Sequence, residues 1–306
     1  MKLSEINSIA KEQKIYAKID YIGKGFEIFL PKGAKIINDI QKYVEREKEK
    51  LNCKIVKSPM VSNPAIYKIE DRYNGKKEIK LFAIEKEEFD DESLENNLVL
   101  KPYVAPFHCT IFKSTQHSYK ELPIKFFETS SVVRNELDIK GKTKTRQLTQ
   151  STSSIFTSKE NIQTSIKEEA EFEKKLMDKL GIDVQFEIEN WNEDHKEDYI
   201  GEINEWNYAV LSMENALNEL QIPYKINKNG KMFGPRIAIK HNNYLISNIQ
   251  VDFEITHRFD LKYKNKVDED SFPYYINNTL VESYEDLVKL LIEKYNGNFP
   301  ENIIAN

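Results

Sequence analysis

The residues best suited to chemistry are two arginines and a glutamate near the middle of the chain. Arg134 and Glu136 follow the short run at residues 130–133 (SSVV), and Arg146 comes soon after them. Alternate positions of a strand face the same side, so we expect Arg134 and Glu136 on one face. A guanidinium is a planar fork of donors that binds phosphate bidentately. The residues alone leave two interpretations open, an anion-binding site or a structural ion pair.

Composition bounds the class of protein. The chain has 306 residues, of which 40% are hydrophobic and 31% charged, with a formal net charge of -5. This is enough apolar material for a large core, and a dedicated nucleic-acid-binding chain usually carries a basic excess instead. The two cysteines, Cys53 and Cys109, are too few for a disulfide framework or a four-ligand zinc motif.

Targeting and phosphate-loop signals are missing from the sequence. The first residues lack the apolar core of a secretory signal, and no run approaches the roughly 18 apolar residues of a membrane span. Neither GxGxxG nor GxxxxGK[ST] occurs. We therefore expect a soluble, cytoplasmic protein that uses neither common phosphate loop.

The elements that must position the arginines follow from hydrophobic periodicity. Apolar residues at helical spacing predict helices, whereas alternating or short apolar runs predict strands. The strands do not alternate regularly with helices, which favours an α+β fold with a mainly antiparallel sheet. The predicted helices are 34–51, 158–180, 208–220 and 284–295, and the predicted strands are 54–56, 79–84, 97–100, 184–188, 236–240 and 248–255.

Four collinear stretches carry a resemblance to a known family. Together they resemble the catalytic core of threonyl-tRNA synthetase, a class II aminoacyl-tRNA synthetase, over about residues 20–305. The stretches are 23–44 with 57–60 (KSPM); 100–108 (LKPYVAPFH) with 111–113 and 118–123 (SYKELP); 131–136 (SVVRNE) with Gly141, Arg146, Thr149, Gln150, Ile155 and Phe156; and 233–236 (FGPR) with 249–253 (IQVDF) and 272–300.

The resemblance implies an architecture. It predicts a class II antiparallel sheet flanked by helices, formed by residues 1–306 as a single domain, without the editing and anticodon-binding domains of the family. The first stretch resembles motif 1, which lies at the family's dimer interface, so a homodimer is expected. A heterodimer with a full-length synthetase stays open.

The resemblance also implies roles for particular residues. In an aminoacyl-adenylate-forming ligase, fixed cations meet the charge that develops on the α-phosphate of ATP. Arg134 and Glu136 match the catalytic motif 2 pair, and Arg146 matches an arginine at the nucleotide phosphates. Gln150, Gln250 and Phe233 match positions that line the substrate pocket, although both glutamines could equally be core amides.

Other matched positions depart from the family. The resemblance implies a zinc held by one Cys and two His that reads threonine, and the matching positions are Ala105, Lys140 and Asn277. Alanine has no donor atom and a lysine ammonium has no lone pair, so no zinc is expected. Leu148 stands where the family has the aromatic residue that stacks on adenine. Asp286 stands where the family has the motif 3 arginine, and its negative charge would repel phosphate.

These observations support three functional hypotheses. The first is a threonyl-tRNA synthetase-like paralogue that does not make threonyl-tRNA and instead acts as a regulatory, accessory or ligand-binding protein. The second is an enzyme that uses ATP and Mg²⁺ to adenylate a different amino or carboxylic acid for a non-standard acceptor. The third is a non-catalytic protein that binds the tRNA acceptor stem through the basic loop of Lys140, Lys142, Lys144 and Arg146. The sequence does not identify the ligand or a protein partner.

Overall fold

A computed structural model describes residues 1–23, 25–69, 82–84, 98–134, 145–300 and 303–304. The helices in these ranges are α1 (Leu3–Glu12), α2 (Pro31–Lys50), α3 (Ala65–Ile69), α4 (Ala105–Lys113), α5 (Ile162–Leu180), α6 (Ile203–Glu219), α7 (Ile255–Arg258) and α8 (Tyr284–Tyr295). None of these described helices has the length and apolar composition needed to cross a bilayer.

The two longest strands, β7 and β8, lie in the middle of the chain. They are β1 (Tyr16–Lys18), β2 (Glu27–Phe29), β3 (Lys54–Ile55), β4 (Val61–Ser62), β5 (Ala83–Ile84), β6 (Leu98–Leu100), β7 (Ile124–Val133), β8 (Gln147–Thr157), β9 (Gln185–Glu189), β10 (Tyr224–Asn227), β11 (Arg236–His241), β12 (Tyr244–Asp252), β13 (Tyr263–Lys264), β14 (Asp270–Ser271) and β15 (Tyr274–Val281).

One large sheet organises the fold. Its described strands have the order β10-β9-β11-β12-β15-β8-β7-β3, and all neighbours are antiparallel except β10 with β9 and β3 with β7. The smaller sheets are β1-β2, β13-β14 and β4-β6-β5. The predicted α+β class and its mainly antiparallel sheet are therefore confirmed.

Helices α2 and α5 pack on one side of this sheet, which we call the closed face. Helix α5 is amphipathic and buries Ile166, Ala170 and Leu176 completely. It contacts β8, β12 and β15, while α2 contacts β3 and β7. Gly181, in the left-handed conformation at φ 68°, ends α5 as the sequence predicts.

The opposite side of the sheet, which we call the site face, is rich in polar side chains. Helix α4 covers one end of it, where the ring of Phe112 stacks on Phe156 of β8 with centroids 4.4 Å apart. The rest of this face is only partly covered, because Arg134, Gln250 and Asn277 all keep part of their surface exposed. This face therefore offers polar groups that solvent or a ligand can reach.

Most predicted elements are found, but several boundaries differ. The predicted helix 34–51 begins at Pro31, and the predicted helix 158–180 begins at Ile162. The predicted strand 248–255 ends at Asp252, because the Asp252 carboxylate accepts from the backbone amides of Glu254 and Ile255 and turns the chain into α7. The predicted helix 208–220 begins earlier, at Ile203, and buries Trp206 in the core. Residues 79–81 of one predicted strand lie outside the described ranges.

Candidate functional site

A row of cross-strand neighbours defines the middle of the site face. Arg236 of β11 lies opposite Gln250 of β12, Gln250 lies opposite Asn277 of β15, and Asn277 lies opposite Ser154 of β8. Directly opposite residues of antiparallel strands point to the same side of a sheet. These four polar side chains therefore form one line across four strands.

A β-bulge in β15 determines which residues lie at the far end of this face. Thr279 lies opposite Thr152, but Val281 lies opposite Ser151, so two residues of β15 advance while β8 advances by one. A bulge of this kind reverses the alternation of side chains between the two faces. Val281 therefore points into the closed-face core, where it is fully buried, and Glu282 points to the site face.

The Glu282 carboxylate is fixed by polar groups from two other strands. Asn248 Nδ2 donates to Oε1 at 2.6 Å, and Gln150 Nε2 donates to Oε2 at 3.1 Å and to the Glu282 carbonyl oxygen at 2.9 Å. The Glu282 backbone amide donates to the Ile246 carbonyl at 2.9 Å. The Arg134 guanidinium lies beside this carboxylate, with Nη2 3.8 Å from Oε2.

The residues after Glu282 clamp the start of α8 onto β8. Glu285 accepts from the Thr149 backbone amide at 2.9 Å and from its hydroxyl at 2.9 Å. The Tyr284 hydroxyl lies 2.7 Å from Ser151 Oγ. Each residue of β8 from Thr149 to Ser151 is thus bonded to this segment, which holds Glu282 in place.

Arg146 lies next to Arg134 at the end of the same strands. The Arg134 backbone amide donates to the Arg146 carbonyl at 2.9 Å, and the Arg146 amide donates to the Gly25 carbonyl at 2.8 Å. Gly25 has φ 88°, and a Cβ on it would lie 2.9 Å from Arg146 Cγ. Glycine is required there because it permits both this conformation and this approach. The structure thus brings the two predicted phosphate-binding arginines together.

Gln250 and Phe233 lie in a second part of the face. Gln250 Nε2 donates to the Gly234 carbonyl at 3.4 Å, and the Phe233 carbonyl accepts from the Phe253 amide at 3.0 Å. A Cβ on Gly234 would lie 1.9 Å from the Val251 carbonyl oxygen, so this position needs glycine. The row through Gln250 meets β8 at Ser154. Ser154 is four residues from Gln150, which corresponds to about 13 Å along a strand. The predicted substrate residues therefore form two groups.

A buried chain of polar contacts runs beneath α4. Lys101 Nζ is 3.1 Å from one Glu128 oxygen, the other oxygen is 3.4 Å from His108 Nε2, and His108 Nδ1 is 2.8 Å from Ser154 Oγ. The Tyr275 hydroxyl is 2.8 Å from Ser154 Oγ and 3.4 Å from Asn277 Oδ1. The chain of contacts therefore ends at the row that defines the site face.

Charge in this buried chain is balanced. Burial alone would raise the pKa of Glu128, but the hydrogen bond to His108 and the charge of Lys101 lower it to about 2. Burial lowers the pKa of His108, although Glu128 opposes this. At neutral pH the ring is therefore neutral, and the ionised Glu128 is paired with Lys101.

The positions that the resemblance assigns to zinc do not fit a zinc ion. Ala105 offers no ligand atom, and it packs in a buried apolar cluster with Phe126, Phe156 and Tyr275. Asn277 directs its amide oxygen to the Tyr275 hydroxyl. Amide oxygen and methyl groups are not the N and S donors that bind zinc. Lys140, the third position, lies outside the described residues.

Leu148 and Asp286 occupy the other altered positions. Leu148 is buried on β8 opposite Val132. The Asp286 carboxylate is buried, pairs with Lys289 Nζ at 2.9 Å and accepts from the Tyr244 hydroxyl at 2.9 Å. Burial raises the pKa of Asp286, and the charge of Lys289 opposes this. Lys289 also pairs with Glu27 at 3.2 Å, so Asp286 shares this cation with a second carboxylate, and the acid beside Arg134 is Glu282.

Several predicted site residues cannot be placed. Glu136, proposed as the catalytic partner of Arg134, and the basic loop residues Lys140, Lys142 and Lys144 lie outside the described ranges. Sequence reasoning missed Glu282 and Asn248. Ser154 and His108 were also given no role, although the stretch 100–108 that carries part of the resemblance includes His108.

Comparison with known proteins identifies the class. A family model described as the tRNA synthetase class II core domain (G, H, P, S and T) matches residues 82–295, so the chain belongs to this family. The threonine–tRNA ligase of Clostridium botulinum (strain Eklund 17B / Type B) is 31% identical over 309 residues, covering 98% of this chain and 47% of that protein. The chain thus spans about half the length of the curated relatives it matches, and the predicted resemblance is confirmed.

Solved structures agree on the fold. A crystal structure described as the RNA binding domain of threonyl-tRNA synthetase from Cryptosporidium parvum Iowa II matches with a TM-score of 0.85 and 23% identity, covering 96% of this chain and 73% of that chain. A putative threonyl-tRNA synthetase from Aeropyrum pernix matches with a TM-score of 0.79 and 18% identity, covering 98% and 70%. These likenesses confirm the class II core fold.

Proposed function

We propose that this chain is a class II synthetase core that does not form threonyl adenylate in the usual way and serves as a regulatory, accessory or ligand-binding protein. Asp286 carries the proposal. It stands where the resemblance places a phosphate-binding arginine, and its carboxylate is buried against Lys289 and Tyr244. A triphosphate therefore meets no cation from this position, which removes a charge-assisted contact of the kind that stabilises phosphoryl chemistry.

The threonine-reading positions support the same proposal. Ala105 is part of an apolar cluster, and Asn277 is bonded to Tyr275. Neither of these two described positions offers a zinc ligand that could read an amino and a hydroxyl group. We accordingly propose a protein that needs no zinc, and we expect it in the cytoplasm as a homodimer with α2 near the interface.

The test is ATP–pyrophosphate exchange with the purified chain. We expect no exchange that depends on threonine, with or without added zinc. An Arg134→Ala variant serves as the control, because any exchange catalysed at this site should disappear with the arginine. Threonine-dependent exchange that Arg134→Ala abolishes would contradict the proposal. Light scattering of the same sample measures the oligomeric state, and a monomer would contradict the homodimer.

A second candidate is an enzyme that adenylates another amino or carboxylic acid using ATP and Mg²⁺. The adjacency of Arg134 and Arg146 favours it, since a backbone hydrogen bond makes these two residues cross-strand neighbours at one end of the site face. The same exchange assay distinguishes the candidates when it is run with all standard amino acids and a set of simple carboxylic acids. Exchange with one acid other than threonine supports the enzyme, and a flat response to all of them supports the non-catalytic protein.

A further inference from the structure

We propose that Glu282 is a specificity-determining residue that acts as a built-in carboxylate ligand of Arg134 and excludes anionic ligands from it. The inference rests on the proposed function and adds the class of ligand that the site rejects. Its basis is the position of the Glu282 carboxylate, which lies 3.8 Å from the guanidinium on the half-exposed site face. A phosphate or carboxylate group that approached Arg134 from this side would meet a negative charge already in place.

Three features of the structure keep Glu282 there. The bulge between Thr279 and Val281 turns the side chain toward the site face. Asn248 and Gln150 each donate an amide hydrogen to the carboxylate, at 2.6 and 3.1 Å. Gln150 also donates to the Glu282 carbonyl at 2.9 Å, so one amide fixes both the backbone and the side chain. A displaced carboxylate would leave the Asn248 amide without this acceptor and would break one of the two bonds from Gln150.

The charges around Glu282 explain why its carboxylate affects which ligands can bind at Arg134. Its two close donors are neutral amides, and the cation of Arg134 is at the outer limit of an ion pair. The carboxylate therefore keeps much of its negative potential while it lowers the positive potential at Arg134. Like charges placed side by side are an effective means of rejecting a class of ligand.

The ligands that this site accepts should accordingly lack a phosphate at the Arg134 position. Neutral polar groups can still use Gln250 and Asn277 of the row, whose amides serve as donors and acceptors. A ligand with an amine would gain from the carboxylate. Triphosphates and pyrophosphate would bind more weakly because the Glu282 carboxylate repels them.

Isothermal titration with inorganic pyrophosphate tests the inference. The variants are Glu282→Gln, which keeps the shape and removes the charge, and Glu282→Ala, which removes the side chain. Because a close charge changes affinity strongly, we expect both to bind pyrophosphate at least about tenfold more tightly than the wild type. The double variant Arg134→Gln/Glu282→Gln should lose this gain.

A matched control separates the local effect from the total charge of the face. Glu189 of β9 is a buried carboxylate of the site face that pairs with Arg236 at 2.7 Å and with Lys240 at 2.9 Å, so Glu189→Gln removes the same charge at a different arginine. We expect it to give a smaller gain than Glu282→Gln. Equal gains, an unchanged affinity in both Glu282 variants, or a gain that persists without Arg134 would overturn the inference. The proposed function is tested separately, because its exchange assay uses only the wild-type Glu282.

Discussion

Two pairs of charged residues on opposite faces of the central sheet differ in their exposure to solvent. On the closed face, Lys48 of α2 is paired with Glu169 of α5, and Asn278 of β15 donates to the same carboxylate. Both side chains of this pair are almost inaccessible, with 0% and 1% exposed. On the site face, the side chains of Arg134 and Glu282 are 32% and 19% exposed. The charges of this closed-face pair are sealed by packing, whereas Arg134 and Glu282 can still meet a ligand.

This difference teaches where stability and function reside. A buried charge that loses its partner has no water to replace it, so the closed-face pair must stay complete. A half-exposed charge can exchange its partner for solvent or for a ligand at a small cost in folding free energy. We therefore expect substitution of Lys48 or Glu169 to change the free energy of unfolding and substitution of Arg134 or Glu282 to change binding.

Lys48→Met should give the largest effect on stability. It leaves the Glu169 carboxylate buried without its cation, and breaking a buried pair in this way costs about 3–5 kcal/mol. Urea denaturation measures the loss. Lys35→Met on the same helix is the control, because Lys35 is 71% exposed and pairs with Asp39 at the surface. A loss for Lys48→Met no larger than for the control would show that the closed face tolerates an unpaired charge.

Glu173→Gln should change how stability depends on pH. Glu173 is buried on the closed face beside Ser247, and burial raises its pKa from 4.5 to about 8. The folded protein therefore holds this proton more tightly than the unfolded chain. Stability from the protonated form is fully present below the unfolded pKa and is lost as pH rises through about 8.

The measurement is the free energy of unfolding between about pH 6.5 and pH 9, a range above the usual pKa of histidine. The wild type should lose on the order of 1–3 kcal/mol more than Glu173→Gln across it, because the amide cannot ionise. Parallel curves for the two proteins would contradict the assignment of a raised pKa to Glu173. Glu219→Gln is a suitable surface control that should follow the wild type.

Glu282→Gln should give the smallest effect on stability although it gives the largest on pyrophosphate affinity. Its ion pair with Arg134 is long and half-exposed, so we expect a change of less than about 1 kcal/mol in the free energy of unfolding. Urea denaturation of the variant and the wild type measures this difference in the free energy of unfolding. A loss as large as that of Lys48→Met would place Glu282 among the structural charges and remove the distinction between the two faces.

Much of the scaffold follows from local sequence. Periodic apolar residues predict the long helices α2, α5 and α8, because each must bury one stripe against the sheet. The antiparallel sheet was expected from the order of strands and from the family resemblance. The ends of the strands are harder to predict from sequence, because the turn after β12 depends on a hydrogen bond to the Asp252 side chain.

The site was only partly predictable for a physical reason. Arg134, Arg146 and Gln150 could be chosen because they stand in matched motifs, and the structure brings all three to one end of the face. Glu282 could not, because simple alternation from Asn277 assigns it to the closed face. The bulge that reverses this assignment is a property of the pairing between β15 and β8, and no short stretch of sequence reveals it.

The most direct test of the account is isothermal titration calorimetry, in which the heat of binding is measured as Mg²⁺-ATP is added to the wild-type chain. The altered Asp286 and the carboxylate of Glu282 predict no saturable heat at ATP concentrations up to about the millimolar range, where cellular enzymes usually bind substrates. Saturable, Mg²⁺-dependent binding with a micromolar dissociation constant would contradict the account and would identify the site face as a working nucleotide site.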